Sequence, residues 1–226
     1  MSMNSYYITG TDTGIGKSVA SAALLHALRA RGRRAVGMKP VASGCEMTAD
    51  GWRNEDALAL QHASDPTPSY RDVNPYALPN PLAPELAAAD AGVSIELQPV
   101  ISAHARLAAV ADAVVVEGVG GWAAPLTASL DQLDVVRALE LPVVMVVGLR
   151  LGCINHARLT ARAIVEDGAR LVGWIANVID PEMARADDNF AILQRVLSVP
   201  CWGRLPFMTK PDAGKISAYL HLPSTL

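Results

Sequence analysis

Gly10-Thr11-Asp12-Thr13-Gly14-Ile15-Gly16-Lys17-Ser18 sets a lysine and a hydroxyl directly behind closely spaced glycines. Glycines let a backbone turn until its N–H groups converge on an anion. A helix starting at such a turn adds a favourable dipole for negative charge. In this arrangement Lys17 would reach the outer phosphates of a nucleoside triphosphate, and the Ser18 hydroxyl would ligate Mg2+. Gly14, Ile15 and Gly16 complete the expected nucleotide-binding stretch. The spacing is that of a variant P-loop: Thr11 stands where the first glycine usually falls, and the glycine comes one residue earlier, at Gly10.

Three further groups of residues are placed to act on a bound phosphate. Lys39-Pro40-Val41-Ala42-Ser43-Gly44 offers a cation and, four residues on, a hydroxyl. Glu117-Gly118-Val119-Gly120-Gly121-Trp122 puts a carboxylate at the end of an apolar run, as a metal-holding acid would be, before glycines that admit a ligand close to the backbone. Arg53-Asn54-Glu55-Asp56 opens a helix. Locally, Asn54 reads as its cap and Asp56 as a charge complementing its dipole. The sharper reading makes Asp56 a second carboxylate, so that Ser18, Asp56 and Glu117 form a hard oxygen set suited to Mg2+. Gly152-Cys153-Ile154-Asn155-His156 opens another helix, whose first N–H groups suit a carboxylate and for which Asn155 is also a candidate cap.

These segments need a scaffold, and the apolar pattern supplies one. Strands are expected over Tyr6 to Thr9, Ala35 to Met38, Ala113 to Val116, Val143 to Val147, Leu171 to Val178 and Val199 to Gly203. Helices are expected after the Gly-rich turn, where Ala20, Ala23, Leu24, Ala27 and Leu28 share one face and Gly32 stops the run. More are expected over Asp56 to Ala63, Pro99 to Val110, Asp131 to Leu139, Asn155 to Asp167 and Pro181 to Leu197. Val-rich strands alternating with helices predict an α/β fold: a mostly parallel sheet with helices on both faces. Ligands then bind beyond the carboxyl ends of the strands, where every group named above lies. Asp65 to Pro84, with six prolines, reads as a long ordered excursion.

Composition sets the outer limits. The 226 residues are 51% hydrophobic, which fits one domain over 1–226. A net charge of -3 and 5% aromatics give no footprint for nucleic acid or an anionic membrane surface. The longest apolar run, Leu141 to Leu149, is far below a membrane span of ~20 residues. Met1 to Gly10 lacks the basic and apolar regions of a secretion signal. Cys45, Cys153 and Cys201 lie far apart, read as small packed side chains, and point to a reducing, cytoplasmic setting.

Taken in order and spacing, Gly10 to Ser18, Lys39 to Gly44, Arg53-Asn54 with Asp56, Val73-Asn74-Pro75-Tyr76, Glu117 to Trp122 and Gly152 to His156, with Trp174 and Asn177, resemble the dethiobiotin synthetases along nearly the whole chain. That family shares the extra loop residue. Two departures stand out: its loop often has glutamate at the position of Gly14, and Met208 to Gly214 matches poorly.

The resemblance implies Mg2+ as cofactor and three small-molecule substrates: ATP, CO2 and 7,8-diaminononanoate. An amine carbamate attacks the γ-phosphoryl, and the second amine then closes a ureido ring. Lys17, Lys39, Thr13 and Ser43 would be catalytic; Ser18, Asp56 and Glu117 would hold the metal. Ser43, Gly118, Gly152 and Asn155 would meet the substrate, the last two from the partner of a homodimer. Asn177, Pro206 and Asp212 would meet base and ribose. Division-site and chromosome-partitioning switch ATPases are the rival class, but they carry an early loop lysine that Thr11, Asp12 and Thr13 lack. Amidating synthetases are a nearer rival, but they add a glutaminase domain for which this chain has no room. Lys39→Ala is expected to cost several orders of magnitude in turnover and little in stability.

Overall fold

The computed structural model describes residues 5–224. Met1–Asn4, part of the N-terminal stretch read above, lie outside the described residues. The first half of the chain forms β1 (Tyr6–Gly10), α1 (Lys17–Ala30), β2 (Ala35–Met38), β3 (Val41–Ser43), β4 (Glu46–Thr48), β5 (Gly51–Arg53), α2 (Glu55–Ala63), α3 (Tyr70–Val73), β6 (Tyr76–Leu78), α4 (Pro84–Asp90), α5 (Leu97–Val110) and β7 (Ala113–Glu117). It continues with β8 (Pro125–Thr127), β9 (Leu130–Asp131), α6 (Gln132–Leu139), β10 (Val143–Leu149), α7 (Cys153–Glu166), β11 (Leu171–Val178), α8 (Ala186–Val196), β12 (Cys201–Leu205) and α9 (Ala213–Ile216).

Six strands make one parallel sheet in the order β12-β11-β10-β1-β7-β2. Successive side chains of a strand face opposite sides, and the buried residues divide accordingly. Tyr7, Val36, Met38, Val114, Val116, Met145 and Trp174 pack on one face under α4 to α8. Tyr6, Ile8, Ala35, Val115, Val144, Val146 and Ile175 pack on the other under α1, α2 and α9. Both faces are covered, as the unbroken valine runs required.

β1 lies between β10 and β7, so the connections around it leave in both directions. A crevice opens at such a switch point, and the turn after β1 sits in it.

Some expected boundaries move. The helix expected from Pro181 begins at Ala186, behind Arg185 in the left-handed region at φ 56°, with Asp187 and Asp188 in its first turn. The last sheet strand runs two residues later than expected, over Cys201–Leu205. Asp131 is the N-cap of α6 in a reciprocal capping box with Asp134. Asp65 to Pro84, expected as a long ordered excursion, holds α3 and β6, and β6 pairs in parallel with β3. Cys45 and Cys153 are buried and Cys201 is half-buried, all three unpaired. Among the described residues no helix is long and apolar enough to cross a membrane.

Candidate functional site

The phosphate loop is shaped by three glycines, Gly10, Gly14 and Gly16. A Cβ on Gly10 would come within 2.8 Å of Ile15 and 2.9 Å of the Lys17 side chain, so only glycine lets Lys17 fold back across the turn. Gly14 and Gly16 take left-handed φ values of 71° and 80°, which glycine adopts freely. The first helical bond runs from Ala20 N–H to Gly16 O, which leaves the N–H groups ahead of it without intrahelical partners. No acidic residue stands in that first turn to compete with an anion. Asp12 braces the loop: Oδ1 accepts from Thr13 N–H at 2.7 Å, Oδ2 accepts from Arg150, and its carbonyl accepts from Lys17 Nζ at 2.9 Å. From below, Asn177 Nδ2 donates to Ile15 O at 2.9 Å.

β2 and β7 are neighbours, so their ends bring Lys39 and Glu117 together. Lys39 Nζ donates to Glu117 Oε1 at 2.7 Å and lies 3.3 Å from Asp56 Oδ2. Ser18 Oγ donates to the same Glu117 oxygen at 2.8 Å. Glu117 is 1% exposed and Lys39 6%. Burial pushes the Lys39 ammonium down, but the carboxylates of Glu117 and Asp56 outweigh it and hold its pKa above the usual lysine range. Lys17 moves the other way. Burial lowers its pKa most, Glu117 partly offsets this, and the charge of Lys39 lowers it further.

Asn54 does cap α2, accepting from Ala57 N–H at 3.2 Å, while Asp56 in the same turn faces Lys39. The capping reading of Asn54 is thus observed, and Asp56 of the same turn lines the cleft. Asn155 is not a cap: α7 is capped by Gly152 at φ 93°, and Asn155 stands exposed in the first turn.

Among the buried side-chain oxygens without a hydrogen-bond partner in the described residues, two belong to residues that line the cleft, Glu117 Oε2 and Ser43 Oγ. A buried acceptor left open in this way is costly unless a ligand completes it. The oxygens of Ser18, Asp56 and Glu117 are the hard donors that Mg2+ takes, and the open Glu117 Oε2 leaves a lone pair for it. These residues fit that ion.

A cavity of about 880 Å³ joins these groups. Its lining brings together Thr13, Gly14, Gly16, Lys17, Ser18, Lys39, Ser43, Asp56 and Glu117. Ile15 lies beneath it, 1% exposed, as an apolar plug. Gly118 stands behind the cleft with its N–H on Ile8 O at 3.0 Å; the loop reaches the cavity through Val119 and Gly120 instead. Gly152, Asn155, Asn177, Pro206 and Asp212 are outside this lining. Asp212 is exposed and caps α9. Sequence reasoning missed the wall formed by Pro81, Leu82, Ala83 and Pro84. Its only trace was the density of prolines.

Comparison with known proteins adds three findings. A family model described as an AAA domain matches residues 4–214. A protein of Xanthomonas euvesicatoria pv. vesicatoria named ATP-dependent dethiobiotin synthetase BioD is 66% identical over 218 residues, covering 96% of this chain and 97% of its own. One of the same name from Xylella fastidiosa is 64% identical over 222 residues, covering 98% of each. Among solved structures, a ParA family ATPase of Chlorobium tepidum superposes with a TM-score of 0.55 at 16% identity, covering 97% of this chain and 91% of that one. The MinC:MinD complex of Aquifex aeolicus gives 0.54 at 13% identity, covering 95% and 85%. At such identity the structural likeness shows the P-loop fold alone.

Proposed function

The chain belongs to the ATP-dependent dethiobiotin synthetases, enzymes of biotin biosynthesis, and from that premise we propose how its cleft makes the product. The substrates are 7,8-diaminononanoate, CO2 and ATP; the products are dethiobiotin, ADP and phosphate. One amine adds to CO2 as a carbamate. A carbamate oxygen attacks the γ-phosphorus of ATP, the bond to the bridging β-γ oxygen breaks, and ADP leaves. The second amine attacks the carbonyl of the mixed anhydride, phosphate departs with its electron pair, and the ring closes.

The observation that carries this reading is the charge cluster. Two buried lysines and two carboxylates meet at the mouth of a phosphate loop, in a cavity of a size that holds small molecules. The reaction asks little covalent help of a protein and much charge neutralisation and positioning. Lys17 comes over the β- and γ-phosphates. Its burial makes it costly when alone, and a polyphosphate relieves that cost. Lys39, kept charged by Glu117 and Asp56, neutralises the carbamate and the transferring phosphoryl group. Thr13 and the open hydroxyl of Ser43 orient carbamate or phosphoryl oxygens. The free N–H groups of the α1 first turn receive the phosphates.

Ser18, Asp56 and Glu117 would hold Mg2+, which supplies charge neutralisation on the phosphates when bound. Asn177, Pro206 and Asp212 mark the side of base and ribose. Gly152 and Asn155 sit at an exposed helix N-terminus and serve the partner subunit's substrate carboxylate in a cytoplasmic homodimer. Beside them Leu151 is 90% exposed, the kind of surface a second copy would cover.

The test is a product assay with purified protein, diamine, bicarbonate, Mg2+ and ATP. Dethiobiotin by mass spectrometry should match diamine-dependent phosphate release. Phosphate release indifferent to the diamine would move the protein to the switch ATPases.

A further inference from the structure

The segment Val73-Asn74-Pro75-Tyr76 stands out in the sequence, and none of its side chains lines the cleft. Its hydrogen bonds nevertheless converge on residues that do. Both main-chain groups of Lys39 are bound there: its N–H donates to Val73 O at 2.7 Å, and its carbonyl accepts from Asn74 Nδ2 at 2.7 Å. Asn74, 3% exposed, also donates to Tyr76 O at 3.2 Å. Its remaining acceptor, Oδ1, takes the Tyr70 hydroxyl proton at 3.2 Å. That hydroxyl in turn accepts from Asn54 N–H at 2.7 Å.

Asn54 is the cap of α2, the helix that carries Asp56, and its Nδ2 donates to Ser43 O at 3.3 Å. One chain of bonds therefore runs from the Lys39 backbone through Asn74 and Tyr70 to the cap of the Asp56 helix. The ends of this chain are the two residues whose side chains meet at 3.3 Å in the cleft. Asn54 is buried like Asn74, with half-buried Tyr70 between them, so at both asparagines a lost partner is costly.

We propose that Tyr70 and Asn74 are positioning residues that set the separation of Lys39 and Asp56 in the cleft. Neither touches the reacting groups. They fix where two differently placed backbone segments stop, and thus where an ammonium and a carboxylate stand relative to the phosphoryl group. The proposal rests on the dethiobiotin synthetase reading for the chemistry that this spacing serves.

Tyr70→Phe tests it, since the ring stays in place over the Arg53 guanidinium and only the bridging hydroxyl goes. Tyr76→Phe is the control: its hydroxyl bonds only the Glu96 backbone, outside the chain of bonds. Tyr70→Phe should lower kcat by about 10- to 100-fold, the scale of a small misplacement beyond the reacting atoms. KM for the diamine should stay near its original value, and the Mg2+ concentration for half-maximal rate should rise. Binding of ATP without Mg2+ should be unchanged, and binding with Mg2+ should weaken. Tyr76→Phe should move none of these. Unchanged kcat and Mg2+ dependence in Tyr70→Phe would overturn the proposal, as would the same shifts in Tyr76→Phe. Absence of dethiobiotin with the unaltered protein would count against the reaction reading. The two ATP-binding measurements would still decide on the positioning role.

Discussion

Gly120 passes so close to the phosphate loop that a Cβ on it would stand 1.9 Å from the Thr13 hydroxyl and 3.2 Å from the Thr13 Cα. The loops after β1 and β7 are thus in direct contact, with no room for a methyl group between them. Gly120→Ala should push Thr13 or its own loop out of place and lower kcat/KM for ATP by about 10- to 100-fold. Steady-state kinetics beside a thermal melt will check it. Undiminished kcat/KM would mean that the two loops yield at no cost.

Lys17 and Lys39 should differ in what they do for the nucleotide-free protein. Lys39 is paired with fully buried Glu117, so Lys39→Met leaves a carboxylate in the interior without its cation and should cost about 3 kcal/mol. This replaces the expectation of little change in stability at that position. Lys17→Met removes a charge that burial disfavours and should hold or raise the melting temperature while abolishing ATP binding. Melts of both variants without nucleotide decide it, and equal destabilisation would contradict the assignment.

The same contrast fixes the response to base. Lys39 has a folded pKa above the ordinary lysine value of 10.5, so its pairing stabilises the fold below that value. This stability is lost as pH rises through the higher folded pKa. Lys17 has a folded pKa below 10.5, so its cost is present at lower pH and fades as pH rises through the folded value. Between neutrality and pH 10.5 the unaltered protein should lose less stability than Lys17→Met, which lacks the compensating gain. Denaturant titrations across that range will show it.

Asn177→Ala removes the donor that holds Ile15 O from below. Affinity for every nucleotide should fall, by roughly tenfold for one buried hydrogen bond, and more for ATP than for GTP if the oxygen of the same amide meets the adenine edge. Titration of both nucleotides separates the two contributions. An equal fall would leave Asn177 as a brace only.

Gly14 has open space where a side chain would start, but its φ is 71°. Gly14→Glu should therefore fit sterically and cost about 1–2 kcal/mol of backbone strain. Chemical denaturation should report that loss, with dethiobiotin formation retained. A collapse of folding would show that the loop has less room than its geometry allows.

Whatever depended on local pattern was readable from the chain alone. The valine runs of β7 and β10 had to be strands buried on both faces, and Gly16-Lys17-Ser18 had to open a helix at an anion. Adjacency was not readable. Nothing near Lys39 announces that β2 lies beside β7 and so delivers the ammonium to Glu117. β3 and β6 have three residues each and pair across a long connection, too short for any period to declare itself. The helix expected from Pro181 starts five residues later, where Asp187 and Asp188 mark the first turn of α8. The wall at Pro81–Pro84 follows from tertiary placement alone.

The hydrogen bond from Asn177 to Ile15 O spans 162 positions. On the ribosome, the brace therefore emerges well after the loop carbonyl that it holds. At usual synthesis rates of about 5–20 residues per second, the gap lasts roughly 10–30 s. For most of that interval β1 also lacks β10, its partner on one side. A nascent chain thus carries its nucleotide motif well before that motif is braced. ATP should therefore bind the growing chain more weakly than the finished fold, since the loop gains its brace only when β11 has been made.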